Sequence, residues 1–373
     1  MPLSHFLKQF FAAEKKYGSK DRKQISALCY DYYRLGKAVQ NISIDERIIL
    51  ATFLCEQVSN EFLKFHKPGW NEKLGLPVSE KLSIINYPLS IKDLFPLTNE
   101  LTEGIDENKF AASFLQQPDL FIRIRPGKKD IVLKKLEAAS LNFRSIKEDC
   151  IALPNTSKID EILEIDKEVL VQDASSQRVL DFLGKSSYPP LGDGRKIQLW
   201  DCCAASGGKS ILAYDILNGN VELTVSDIRE SILSNLKKRF KEAGIKNYRS
   251  FIADLQTANY QLQTTNCQLL LCDAPCTGSG TWSRTPEQVY FFKPAMIDEY
   301  AEKQKNIVSN AIRHLQKSGL FFYITCSVFK KENEAVVDFI KEKLNLQLLQ
   351  MESIKGYEMK ADSMFVAVFR KTA

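Results

Sequence analysis

The 373-residue chain has no run of 18 or more apolar residues, and its first residues (MPLSHFLKQFFAAEKK) lack the long apolar core of a secretory signal. Neither a membrane span nor an exported precursor is expected, and no membrane partner. Histidine is scarce: His5, His66 and His314 are the only three, and none lies in a motif. That argues against a His-based triad, a histidine general base and a finger-type zinc site, and no metal is expected. The nine cysteines contain no C-x-x-C pair and are odd in number, in a chain too long to need disulfide staples. This usage suits a reducing cytosol, so a cytoplasmic location is expected. There is no internal repeat and no low-complexity tract. With 44% hydrophobic and 26% charged residues, disordered, collagen-like and coiled-coil classes are excluded.

What is present is a chain long enough for more than one domain. Net charge is only +5, but two short stretches concentrate it. FIRIRPGKKDIVLKK (121–135) and KKRFKEAGIKNYR (237–249) each hold six basic residues against one acid. Each is a candidate phosphate-contacting surface; the alternative is a solvated helix face. Residues 1–95 read as an all-helical domain. Ile25, Leu28, Tyr32 and Leu35 recur at helical spacing, and Ile49, Phe53, Val58, Phe62 and Phe65 do so more loosely. Residues 96–170 read as a small α/β unit, with a helix near 107–117, a strand at 120–125 and a helix near 128–139. The segment 184–196 (GKSSYPPLGDGRK) has the composition of a surface loop.

Residues 171–373 alternate strand with helix. Strands are expected at 197–203, 222–228, 249–253, 268–273, 319–326, 346–351 and 364–369. Helices are expected at about 208–217, 230–243, 295–317 and 331–343. Short apolar strands between amphipathic helices predict an α/β, Rossmann-like, mostly parallel seven-stranded sheet covered on both faces. Ligands of such sheets sit beyond the carboxyl ends of the strands. Five strand ends then meet on one rim: Asp201 to Lys209, Asp227, Asp254, Asp273 to Gly280, and Thr325 to Ser327.

The first strand end, Asp201-Cys202-Cys203-Ala204-Ala205-Ser206-Gly207-Gly208-Lys209-Ser210, lets the backbone approach a ligand where a helix begins. A P-loop would need glycine where Cys203 stands, so ATP hydrolysis is a poor reading. Asp227 follows Gly208 by 19 residues, where doubly wound enzymes place an acid for ribose hydroxyls. With Asp254 after the next strand, the set favours an adenosine-bearing cofactor. Asp273-Ala274-Pro275-Cys276-Thr277-Gly278-Ser279-Gly280 and Tyr323-Ile324-Thr325-Cys326-Ser327 put two cysteines beside an acid. Cys202, Cys267 and Cys272 read as buried filler.

DCCAASGGKS, VSDIRESILSNLKKR, CDAPCTGSG, TWSRTPE and YITCSVFKKENE, in this order, resemble the successive motifs of the RsmB/Nop/Sun family of RNA cytosine-5 methyltransferases. VQDASSQ at 171–177 resembles the segment leading into that domain. The likeness covers about 105–371. More weakly, the first hundred residues resemble the NusB-like domain of bacterial RsmB enzymes, and the middle unit resembles the family's N1 RNA-binding domain. The resemblance implies S-adenosylmethionine as cofactor. Cys203, Ala204, Ala205, Ser206, Gly207, Gly208 and Lys209 would hold its methionine end, Asp227 its ribose and Asp254 the adenine side, with Asp273 between cofactor and base.

Carbon 5 of cytosine is a poor nucleophile until something adds to carbon 6, and a thiolate adds reversibly. By resemblance Cys326 is the nucleophile, Cys276 assists release, Asp273 holds the cytosine edge and Lys209 helps orient the base. Sequence logic alone leaves the two cysteines open, because DNA cytosine-5 enzymes use the cysteine of a Pro-Cys pair, here Cys276. One departure stands out: the family usually has proline at Ser206.

The implied substrate is ribosomal RNA, 16S rRNA first, with the chain a monomer. A non-catalytic RNA-binding or ribosome-assembly factor on the same fold is the competing class, and tRNA or DNA the competing substrates. If 121–135 is an RNA surface, reversing the charges of Arg123 and Arg125 should weaken RNA binding and flatten its salt dependence while cofactor binding stays intact.

Overall fold

The computed structural model describes residues 1–185, 196–257 and 266–372. The loop expected at 184–196 lies almost wholly outside them. The chain divides into two compact units. One takes Met1–Leu101, Ile105–Pro118 and Thr281–Lys293; the other takes Thr102–Gly104, Asp119–Gly280 and Pro294–Ala373. Among the described residues no helix is long and apolar enough to cross a membrane.

The first unit is helical, as its apolar spacing requires. The helix Ser19–Arg34 packs on Ile44–Cys55, whose start is fixed by a capping box between Ser43 and Glu46. Arg34, at the end of its helix, is buried at 3% exposure. It donates to the carbonyls of Phe114 (2.8 Å), Gln116 (3.0 Å) and Ser283 (3.0 Å), and to Gln117 Oε1 (2.5 Å). One guanidinium therefore ties three separate chain segments together. Glu287 adds a second tie by accepting from the Leu3 amide at 2.9 Å. The looser periodicity fails beyond Cys55: Val58 and Phe65 are 72% and 83% exposed. The helix has already ended there, and a short helix Glu61–His66 buries only Leu63.

The second unit holds two sheets. The smaller consists of β1 (Leu120–Ile124), β2 (Arg144–Lys147), β3 (Cys150–Leu153) and β4 (Val169–Val171), antiparallel in the order β2-β3-β1-β4. The larger contains β5 (Ile197–Asp201), β6 (Val221–Asp227), β7 (Tyr248–Ile252), β8 (Cys267–Asp273), β9 (Leu315–Thr325), β10 (Leu346–Ile354) and β11 (Met364–Lys371). Its order is β10-β11-β9-β8-β5-β6-β7. The five strands from β9 to β7 are mutually parallel, and β11 and β10 add antiparallel pairs at one edge. This is the expected α/β, Rossmann-like architecture. Leu199, Leu223, Val225, Leu269 and Leu271 fill one face of the sheet; Trp200, Leu270, Phe321 and Tyr323 fill the other. Two-sided burial explains why the strands read as continuous apolar runs.

Two expectations need correction. The helix expected to reach 317 ends at Ala311, and β9 begins at Leu315 rather than 319. Leu315 pairs with Cys267 before a register shift, and Ser318 takes a positive φ beside Gly319, so a polar Gln-Lys-Ser stretch is strand at a bulge. The second concerns the basic stretch 121–135. Arg123 is 2% exposed; its Nη1 meets Asp215 Oδ2 at 2.8 Å and its Nε donates to Gln172 at 3.0 Å. Arg125 Nη2 meets Asp215 Oδ1 at 2.6 Å, and its Nη1 donates to the Ala243 carbonyl at 2.6 Å. Lys135 pairs with Glu168. The two arginines are thus internal counter-charges, not a phosphate surface.

The same ions join β1 to the helix Gly208–Ile216, which carries Asp215, so the small sheet and the large one share one compact unit. The boundaries expected at 95/96 and 170/171 do not coincide with this division. Removing one partner of a buried ion cluster strands the others away from water. Asp215→Ala is expected to lower unfolding free energy by about 3–5 kcal/mol in urea denaturation, and a loss below about 1 kcal/mol would contradict this account.

Candidate active site

The parallel order of β7, β6, β5, β8 and β9 places their carboxyl ends on one rim, as the sequence pattern requires. After β5 the chain turns through two left-handed residues, Ala205 (φ 45°) and Gly207 (φ 83°), into the helix Gly208–Ile216. A Cβ on Gly207 would lie 2.7 Å from the Phe240 ring, so this position excludes any side chain. Ala205 has a Cβ and is held in its uncommon conformation by hydrogen bonds. Its amide donates to Asp227 Oδ2 at 3.0 Å, and the Ala204 amide donates to the Ser226 carbonyl at 2.9 Å.

Ser206 has its own anchor. Arg239 Nη1 donates to the Ser206 carbonyl (3.1 Å) and Oγ (3.0 Å), while its Nε and Nη2 grip Asp166 at 3.0 and 2.7 Å. Sequence reading placed Arg239 in a basic surface stretch and missed this role. In the same stretch Lys237, Lys238, Lys241, Lys246 and Arg249 are exposed.

Asp227, 6% exposed, accepts four hydrogen bonds: one from Ala205, two from the Arg229 guanidinium and one from the Arg229 amide. Asp254 follows β7, half-buried, and accepts from the Gln256 amide at 3.0 Å. Lys209 Nζ lies 2.6 Å from Asp273 Oδ2. Burial works against the Lys209 ammonium, but the adjacent Asp273 carboxylate outweighs it and raises the lysine pKa.

The two rim cysteines come together, with Cys276 Sγ 3.3 Å from Cys326 Sγ. The two thiols share a hydrogen bond, and that bond, burial and the nearby Glu332 charge push the Cys276 pKa well above the ordinary value. Cys276 is therefore held as the thiol. Behind them sits Glu332, 0% exposed. Its Oε1 accepts from the Thr277 amide (2.9 Å) and Gln304 Nε2 (3.0 Å); its Oε2 accepts from Thr277 Oγ1 (2.6 Å) and Ser327 Oγ. Both cysteine loops thus hang on one carboxylate. Gly280 closes the seam: its amide donates to the Cys326 carbonyl at 2.8 Å, and a Cβ there would lie 2.0 Å from the Ser363 carbonyl oxygen.

Of the residues named from sequence, Cys203 to Lys209, Asp227, Asp254, Asp273, Cys276 and Cys326 all lie at these strand ends. TWSRTPE instead falls largely within the helical unit, where Trp282 is buried against Phe292 with ring centroids 4.6 Å apart. Glu332 and Arg239 were missed as organisers. An acid five residues beyond Ser327 was the only available signal for the first.

A mostly parallel seven-stranded sheet with a glycine turn after one central strand and acids beyond its neighbours defines a Rossmann-like methyltransferase fold. Comparison with known proteins agrees. Residues 193–370 match the family described as 16S rRNA methyltransferase RsmB/F. Ribosomal RNA small subunit methyltransferase B of Enterobacter sp. (strain 638) is 28% identical over 239 residues, covering 62% of this chain and 54% of that protein. The chain spans about half that relative's length. The crystal structure of PH0851 superposes with a TM-score of 0.70 at 18% identity, covering 98% of this chain and 93% of that one. NSun6 from Pyrococcus horikoshii with SFG gives 0.61 at 15%, covering 76% and 97%. The match to the RsmB/F methyltransferase family thus takes in just under half of the chain. The NusB-like reading concerns residues outside that match.

Burial raises the Glu332 pKa above the ordinary carboxyl value, although the four donors oppose the rise. The folded state then binds protons more tightly than the unfolded one, so this group's contribution to stability is lost as pH rises through the raised value. Glu332→Gln is expected to remove that component of the pH slope, read from urea midpoints across the acid-to-neutral range. An unchanged slope would show that Glu332 titrates normally.

Proposed function

We propose that the chain is an S-adenosylmethionine-dependent RNA methyltransferase that modifies carbon 5 of a cytosine, with 16S rRNA as substrate. The observation that carries the reading is the thiol pair Cys276–Cys326, 3.3 Å apart, on the same rim as the Lys209–Asp273 pair. The family match of residues 193–370 and the rRNA methyltransferase name of the Enterobacter relative support the substrate class.

The residues fit the cofactor with one adjustment. The Cys203–Gly208 turn brings backbone amides to a helix start, suited to the carboxylate of a methionine moiety. Asp227 has the position for ribose hydroxyls, but its four accepted hydrogen bonds use the lone-pair sites of a carboxylate. A ribose would take the place of the Arg229 guanidinium, whose side chain is 57% exposed and free to swing out. Asp254 lies on the adenine side. When bound, S-adenosylmethionine supplies an electrophilic methyl carbon.

Cys326 adds as thiolate to carbon 6 of the cytosine, forming an S–C6 bond and moving electron density to carbon 5 and ring nitrogen 3. Asp273 holds the cytosine edge, and Lys209 orients the base. Carbon 5 takes the methyl group. Its proton then passes to water, the C5–C6 double bond re-forms, and the S–C6 bond breaks to return the Cys326 thiolate. Cys276, the protonated thiol beside that sulfur, assists the expulsion. The target base must be unpaired or flipped to reach this rim.

Incubation of wild type, Cys276→Ala and Cys326→Ala with S-adenosylmethionine and unmodified 16S rRNA tests the assignment on a denaturing gel. Cys276→Ala is expected to trap a denaturation-resistant protein–RNA complex, and Cys326→Ala to give no adduct and no methyl transfer. A trap with Cys326→Ala exchanges the two roles. Absence of methyl transfer by wild type to rRNA, tRNA and DNA would leave a binding factor on a methyltransferase fold.

A further inference from the structure

Beneath the cofactor turn lies a second group of sulfur atoms that the proposed reaction does not use. Cys202 and Cys203 leave the end of β5, and Cys272 lies near the end of the adjacent β8. Their three sulfurs all lie within 4.8 Å of one another. Cys202 and Cys272 are buried at 1% and 0% exposure, whereas Cys203 is half-buried and gives the group an opening. Three sulfurs around one cation at a metal–sulfur distance of about 2.3 Å stand about 4 Å apart. The cluster needs only small rotamer changes to reach that spacing.

Among the described residues no imidazole or carboxylate shares the group. A ligand set made only of sulfur selects soft cations over hard ones, and three ligands suit copper(I). We propose that Cys202, Cys203 and Cys272 form a thiol site for one copper(I) ion, adjoining the Cys203–Gly208 turn. Binding is ligand exchange without redox change: each thiol that ligates the cation gives up its proton to solvent. A cation drawn between Cys203 and Cys272 pins the first residue of the turn against β8. Copper and cofactor then compete; this competition, unlike the site itself, rests on the cofactor role proposed above.

Cys276 and Cys326 are a second thiophilic pair, so the test uses the full-length Cys276→Ser/Cys326→Ser chain, titrated anaerobically with copper(I) against bicinchoninate. One ion per chain is expected. Adding Cys202→Ala or Cys272→Ala should lower its affinity at least tenfold. X-ray absorption of the copper-loaded Cys276→Ser/Cys326→Ser chain should show three sulfur neighbours, a readout that stands even where a core variant fails to fold. Undiminished copper affinity in folded Cys202→Ala and Cys272→Ala chains, or a first shell of nitrogen and oxygen, overturns the site. S-adenosylmethionine affinity, measured by equilibrium binding with and without copper(I), should fall at least tenfold in the loaded protein. Three sulfur neighbours with unchanged cofactor affinity would overturn the competition and leave the copper site standing.

Discussion

The rim depends on a carboxylate that never meets solvent. Glu332 accepts from one backbone amide, two hydroxyls and one side-chain amide, and these donors come from three different parts of the chain. A buried carboxylate is tolerated only when its lone pairs are filled, so the loops that fill them lose their freedom. Tyr323 extends the network by donating to the Glu332 carbonyl (2.6 Å) and to Gln304 (3.0 Å), which itself donates to the Pro275 carbonyl (3.0 Å). Asn333 adds a neighbouring set, accepting from Thr325 and donating to the Ser327 carbonyl and Thr102. This scaffold brings the two sulfurs to within 3.3 Å of each other.

The turn after β5 is fixed by different means. Proline would set φ by its ring. With serine at 206, the same restriction is supplied from outside by Arg239, whose fork reaches both the carbonyl and the hydroxyl of Ser206 while Asp166 holds its other edge. The rigidity lost from covalent geometry is replaced by a charge-assisted clamp, which depends on two residues far apart in the chain.

Sequence alone was a good guide to the fold and to the location of the rim because both rest on local patterns. Apolar runs separated by amphipathic stretches report a two-sided sheet, and small residues after a strand report a close approach of backbone to ligand. Charged residues were the poor guide. Arg34, Arg123, Arg125 and Arg239 look like surface residues in any window, yet each is spent on partners distant in sequence. The thiol cluster was hidden for the same reason: Cys202 and Cys272 read separately as filler, and only the pairing of β5 with β8 makes them neighbours. The excursion of 281–293 into the helical unit was equally invisible, since its anchors, Arg34 to the Ser283 carbonyl and Leu3 to Glu287, span most of the chain.

The triad of Arg123, Arg125 and Asp215 bears on what counts as a module here. The family match begins at residue 193. Electrostatics draws the line of the module much earlier, because the carboxylate on the helix after the β5 turn is neutralised by arginines from β1. A gene fusion or fragment that begins where the family match begins would discard both cations and keep the anion beside Leu212 and Ile216. The matched unit and the electrically balanced unit are different cuts of the same polypeptide, and only the second carries its own counter-ions.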